Sequence, residues 1–148
     1  MILIHITLSV LLLTVNSAVV LNPITGITAK NLMYTGTIEV DTQKLFFTFY
    51  GLDGETNADN LSNNPLIIGV ATPGRSAQYM NVAGLGPKSL NLDGTLADNP
   101  NRATQFANIM FIDLLGSGFS FASSVDALPK RHQDHAKILT KAINSFIS

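Results

Sequence analysis

Asp113, Ser117 and Ser120 fall within one eight-residue stretch, DLLGSGFS. A hydroxyl becomes a nucleophile only when a base sits beside it, and that base needs an orienting partner of its own. Gly116-Ser117-Gly118 lacks the spacing of a G-x-S-x-G elbow, and that motif occurs nowhere in the chain. The sequence places no base next to Ser117 or Ser120, so both read as turn residues. Asp113 ends an apolar run, the position at which catalytic groups collect in α/β sheets. A second cluster, His132, Asp134 and His135, puts two imidazoles at i and i+3 on one helix face. Lys130 and Arg131 precede it, and these cations oppose a metal ion. With no third ligand evident, the cluster reads as the polar opening turn of a helix, and no metal and no cofactor is expected.

The elements that must position these groups are legible from pattern. Residues 32–50 read LMYTGTIEVDTQKLFFTFY, two β-rich runs on either side of Asp41-Thr42-Gln43, which predicts a hairpin. In its second arm Leu45, Phe47 and Phe49 alternate with Phe46, Thr48 and Tyr50, so both faces have something to bury. Residues 51–65 are loop by composition, rich in Asn, Asp and Gly. LIIGV at 66–70 and NIMFIDLL at 108–115 are short apolar runs, read as strands buried on both faces. Asp93-Gly94 between Leu92 and Leu96 predicts another hairpin. Ile138, Leu139, Ala142, Ile143, Phe146 and Ile147 form an apolar stripe at helical spacing. The phenylalanines Phe46, Phe47, Phe49, Phe119 and Phe121 are assigned to the core. A hairpin, then buried strands, then a helix predicts the mixed sheet of an α/β protein.

Composition narrows the function. Nine Lys+Arg balance ten Asp+Glu among 148 residues with no basic run, which argues against nucleic acid as a partner. Charged residues make up 13% and hydrophobic ones 46%, too apolar a balance for a disordered chain. There is no cysteine, hence no disulfide, no thiolate metal site and no cysteine nucleophile. Residues 1–15, MILIHITLSVLLLTV, are short for a membrane span, which needs about 20 residues. They suit the apolar core of a signal peptide over residues 1–17, cleaved after Ser17, although no Lys or Arg precedes the run. Secretion is therefore expected, with no stable membrane span. Asn60-Leu61-Ser62 is the one N-glycosylation sequon, in a polar stretch where a surface loop is predicted.

Several of these stretches occur in a telling order: LFFTFY, NNPLII, PGRS, GP, NLDGTLADNP, ANIMFIDLLGSGFSF and a closing amphipathic helix. In order and spacing the chain resembles the N-terminal part of the secreted serine carboxypeptidases, which have the α/β-hydrolase fold. Asn108, Asp113, Gly116, Gly118, Phe119 and Ser120 match the family's alanine-asparagine, strand-ending aspartate and G-x-G-F-S turn. The resemblance implies a structural role for Asp113, holding the glycine turn that follows it. It divides the chain into a signal peptide (1–17), an N-terminal extension (18–31) and a partial hydrolase domain (32–148). It also implies an extracellular or lysosomal/vacuolar destination.

The departures bear on activity. The family's Asn-Gly-Gly-Pro-Gly-Cys-Ser-Ser loop corresponds to Val70-Ala71-Thr72-Pro73-Gly74-Arg75-Ser76-Ala77. The family asparagine binds the substrate's terminal carboxylate; its place is taken by Val70, whose isopropyl group cannot do so. The second glycine donates its N–H to the oxyanion; Thr72 keeps an N–H but adds a β-branched side chain that resists unusual backbone angles. Thr72 and Gly74 are thus an oxyanion-loop remnant. The family's glutamate before Asn-Gly-Pro corresponds to Gly84, and its tryptophan falls near Ala103. The family's nucleophile, aspartate and histidine all come after the closing helix, so no catalytic residue of the triad is in this sequence. Release of C-terminal residues from peptides is the activity that the resemblance implies, and this chain by itself is expected to lack it. A peptide substrate is expected only if the missing C-terminal part completes the site. The alternative is a secreted, non-catalytic pseudoenzyme or binding protein. Strands meant to be covered on both faces also predict self-association of the isolated chain.

Overall fold

A computed structural model describes residues 19–23 and 31–148. The predicted signal peptide and its cleavage point lie outside these residues. The main sheet has the order β1-β2-β3-β7-β4, from β1 (Val19–Pro23), β2 (Met33–Val40), β3 (Gln43–Tyr50), β4 (Leu66–Val70) and β7 (Asn108–Ile112). All neighbours are antiparallel except β4 and β7, which run parallel with Leu66 beside Asn108 and Val70 beside Ile112. The predicted hairpin is β2–β3, turning at Asp41, whose φ of 56° is one that aspartate tolerates better than most residues. The segment read as an N-terminal extension supplies β1, which pairs along β2.

Alternation sorts the side chains onto two faces. One carries Ile38, Val40, Leu45, Phe47, Phe49, Met110 and Ile112, and is covered by α2 (His132–Ile147). Most of the predicted stripe makes that contact: Ala142 is fully buried, Ile138, Leu139 and Phe146 pack beside it, and the Phe146 ring meets Phe47 edge-on at 5.4 Å, whereas Ile147, in the last turn, is exposed. Each such aromatic pair adds about 1 kcal/mol beyond the area it buries. The opposite face carries Met33, Tyr50, Ile109 and Phe111, covered by Ala77, Ala103 and Met80. There the chain makes a single helical turn, α1 (Gln78–Met80), which widens into a π turn over Asn81–Leu85.

The β7 strand is buried at every position, as read from its apolar run, although it ends at Ile112 and the next three residues begin a turn. The β4 strand departs from expectation. Only Gly69 is buried and its other residues are half-buried, because among the described residues β4 has a strand on one side only. The Asp93-Gly94 signal produces a separate two-stranded hairpin, β5 (Lys88–Leu90) with β6 (Leu96–Asp98). Asn99 ties it to the π turn, donating through Nδ2 to the Gly84 and Gly86 carbonyls at 2.8 Å each. Two phenylalanines leave the predicted core. Phe119 is 68% and Phe121 54% exposed, and the Phe119 ring lies tilted at 58° against Phe46, centroid to centroid 5.0 Å, Phe46 itself being half-buried. Among the described residues no helix is long and apolar enough to cross a membrane.

Candidate functional site

The carboxyl ends of the two parallel strands, β4 and β7, stand side by side, and the loops leaving them meet at Asp113. Asp113 is fully buried. Its Oδ1 accepts from the Ser76 hydroxyl at 2.9 Å and from the Ala77 backbone N–H at 2.6 Å. Its Oδ2 accepts from the Phe119 N–H at 3.0 Å. Three donors, none of them cationic, surround a group that only accepts. One carboxylate therefore fastens the loop after β4 to the turn after β7. These contacts run from the turn after β7 to Ser76 and Ala77, in the loop that the resemblance equates with the family's oxyanion loop.

Both turn serines spend their hydroxyls on backbone. Ser117 Oγ donates to the Leu114 carbonyl at 2.7 Å. Ser120 Oγ donates to the Asp113 carbonyl at 2.7 Å and accepts from the Phe46 N–H at 2.7 Å, joining the turn to β3. Gly116 and Gly118 have φ of 76° and 52°, and a Cβ on Gly118 would fall 1.9 Å from Asp113 Oδ2. Glycine there is a condition of the carboxylate's approach to the Phe119 N–H. Among the described residues neither serine has a histidine as a hydrogen-bond partner; Arg131 and Asp134 instead pair with each other at 3.1 Å across the start of α2. That hydrogen bond holds the Asp134 carboxyl below its ordinary range. Among the described residues no three His, Cys, Asp or Glu side chains are grouped to hold a metal ion.

The loop after β4 is a tight turn over residues 72–75, closed by the Arg75 N–H on the Thr72 carbonyl at 3.0 Å. Pro73 followed by Gly74 at φ 84° is the type II arrangement. Thr72 and Gly74 are exposed at the carboxyl edge of the sheet, while Val70 is half-buried against the α2-side core. Asn108 stands at the other end of β7, with Oδ1 accepting from the Leu52 N–H at 2.9 Å and Nδ2 donating to the Leu61 carbonyl at 2.7 Å. It anchors the 51–65 loop, remote from the Asp113 junction. Asn60 is exposed in a 3-10 turn, Ala58–Asn63.

A polar network beside the junction escaped the sequence reading. Thr48 donates to Gln78 Oε1 at 2.8 Å, Gln78 Nε2 donates to the Phe111 carbonyl at 3.3 Å, and Asn81 Nδ2 donates to the Tyr50 hydroxyl at 2.8 Å. Gln78 also donates its backbone N–H to Ser76 Oγ at 3.1 Å, so the network runs on to Asp113. Burial raises the Tyr50 phenol above its ordinary pKa, against the partial opposition of its hydrogen bonds to Asn81 and Thr48. The only hint in the sequence is that Thr48 and Tyr50 share an alternation phase in β3.

Comparisons with known proteins agree with this architecture. The profile of the serine carboxypeptidase family matches residues 23–148. A serine carboxypeptidase family member of Dictyostelium discoideum is 28% identical over 117 residues, which are 78% of this chain and 27% of that protein. The crystal structure of a prohormone-processing carboxypeptidase from Saccharomyces cerevisiae superposes with a TM-score of 0.64 at 21% identity, again covering 78% of this chain and 27% of the other. The chain thus spans about a quarter of the length of the relatives it matches. A mixed sheet with one parallel pair and helical segments on both faces matches that fold, and the chain belongs to the serine carboxypeptidase family.

Proposed function

We propose that the 148-residue chain is the oxyanion-loop side of a carboxypeptidase-type hydrolase and has no peptidase activity by itself. The observation that carries this reading is the engagement of Ser117 and Ser120 by main-chain groups, with neither hydroxyl paired to a base among the described residues. Acyl transfer needs a nucleophile and base within hydrogen-bond reach. Thr72 and Gly74, on the loop that Asp113 tethers through Ser76 and Ala77, would line the oxyanion side of a completed site. A peptide substrate then enters only when a nucleophile-bearing segment completes that site. The family membership and the apolar leader support travel through the secretory pathway to an extracellular or lysosomal/vacuolar destination.

A second reading is favoured by Val70 and Thr72: a finished, secreted, non-catalytic pseudoenzyme or binding protein. A valine cannot bind a substrate carboxylate, and Thr72 crowds the oxyanion position. The two readings separate at the transcript. A frame that continues past Ser148 into a G-E-S-Y-x-G segment supports the first, and a stop codon there supports the second. Release of the C-terminal residue from blocked dipeptides is the direct assay, with no turnover expected of the purified chain. Turnover that survives S117A/S120A yet is blocked by a serine-directed reagent would sink the proposal.

A further inference from the structure

Lys130 and Arg131 are the only Lys or Arg residues adjacent to each other in the chain. They follow Pro129, in the stretch that joins a 3-10 turn, Val125–Ala127, to α2. Both are exposed, and among the described residues Lys130 makes no ion pair. Lysine and arginine are almost never fully buried unless paired, so this exposure follows from the charge of the residues themselves. The backbone is extended at Leu128, with φ −68° and ψ 135°, and at Arg131, with φ −131° and ψ 152°. Among the described residues neither the Lys130 nor the Arg131 N–H donates to a backbone carbonyl, and Pro129 has no N–H to donate. An extended segment with free main-chain donors is the form in which a peptide is bound as an added strand.

We propose that the Arg131–His132 bond is a processing site for a dibasic-specific serine endoprotease, an inference that rests on travel of the chain through the secretory pathway. Two adjacent cations suit a cleft that offers a carboxylate to each side chain. No residue from Pro129 to Lys137 belongs to the core on either face of the sheet, so this stretch opens without unpacking it. Only the first turn of α2 resists. The Arg131 carbonyl accepts from the Asp134 N–H at 3.1 Å and the His135 N–H at 3.3 Å, and the Arg131 guanidinium pairs with Asp134. An exposed pair of this kind contributes little. No side chain caps the helix, and Lys130 and Arg131 stand at its positive end, where cations are unfavourable. Such a turn frays readily. Hydrolysis adds water across the amide: the C–N bond breaks, a C–O bond forms, Arg131 is left with a carboxylate and His132 with an amino group. All three donors to Asp113, from Ser76, Ala77 and Phe119, precede the cut, so the loop junction stays in the first piece. The helix stays in place through Ile138, Leu139, Ala142 and Phe146, aided by Lys141 Nζ on Asp41 at 3.0 Å. The product is a two-chain form of the same fold.

The test treats the purified full chain with a dibasic-specific serine endoprotease and reads the products by mass. Two fragments are expected, the shorter being residues 132–148, with the circular dichroism spectrum unchanged. An uncut chain, or a cut that comes only after the sheet signal is lost, overturns the proposal. Lys130→Ala is expected to lower kcat/KM for the cut about thirtyfold or more, because a desolvated carboxylate of the protease loses its partner. An unchanged value overturns the proposal. Asp134→Asn, which releases the Arg131 guanidinium, is expected to raise kcat/KM about twofold, and a decrease counts against it. The assay involves no trafficking, so failure of the secretory reading, seen as a chain without the Asn60 glycan, is a separate result. In a secreting eukaryotic host, glycosylated chain recovered uncut from the medium overturns the proposal.

Discussion

Replacing Asp113 by Asn tests whether one carboxylate couples the two loops. The fully buried side chain accepts from Ser76 Oγ and the Ala77 N–H on one oxygen and from the Phe119 N–H on the other. An amide offers a single oxygen. Oriented to keep Ser76 and Ala77, it turns its NH2 toward the Phe119 N–H, opposing donor to donor; flipped, it loses two bonds instead of one. A hydrogen bond to a charged group contributes about 1.5–3 kcal/mol, and an orphaned buried donor costs about 1–3 kcal/mol. Relief from burying a charge offsets part of this loss. The net expectation is about 2–4 kcal/mol of destabilisation for Asp113→Asn, and about 4–5 kcal/mol for Asp113→Ala, which strands all three donors. Urea unfolding reads the total. Amide exchange reads its location, because about 2 kcal/mol lowers protection at Ala77 and Phe119 by roughly thirtyfold. A variant within about 0.5 kcal/mol of the parent, with unchanged protection at both amides, would refute the coupling argument.

Gly118→Ala is expected to cost about 3 kcal/mol or more in a thermal or urea melt, since φ is 52° and the new Cβ would meet Asp113 Oδ2 at 1.9 Å. A neutral outcome means the carboxylate has room to move away. Tyr50 sets an alkaline limit. Its folded-state pKa is raised by burial, so the neutral phenol's stabilisation is complete below the unfolded value of 10.0 and is lost as pH climbs above it. Alkaline unfolding followed by circular dichroism should show that loss above pH 10 and lose part of it in Tyr50→Phe. At Asn60, the exposed sequon predicts that the chain secreted from a eukaryotic host carries one N-glycan, removed by Asn60→Gln as a single shift in mass. An identical mass for parent and variant refutes it.

Much of the fold follows from local rules that act along the chain. The β2–β3 hairpin, the Asp93-Gly94 hairpin and the stripe of α2 are periodicity and turn chemistry, and each forms where its pattern lies. The motif order likewise points to the family whose profile matches residues 23–148, because ordered spacing is read along the chain.

What the sequence could not determine depends on which segments become neighbours. LIIGV and NIMFI have the same apolar character, yet among the described residues β7 has a strand on either side and is buried while β4 has one neighbour and is half-buried, a difference set by strand order. Phe119 looks like core but is exposed, because the carboxylate of Asp113 holds its N–H and the glycine turn directs the ring outward onto Phe46. Thr48, Tyr50, Gln78 and Asn81 are ordinary polar residues until the sheet and α1 are packed together, when burial obliges each to find a partner. Hydrophobic periodicity is written into adjacent residues, whereas the partner of a buried polar atom is chosen across the fold. The sequence alone therefore determined the elements and the family, and the tertiary structure decided that Asp113, bonded to Ser76 thirty-seven positions earlier in the chain, is the joint between the two loops.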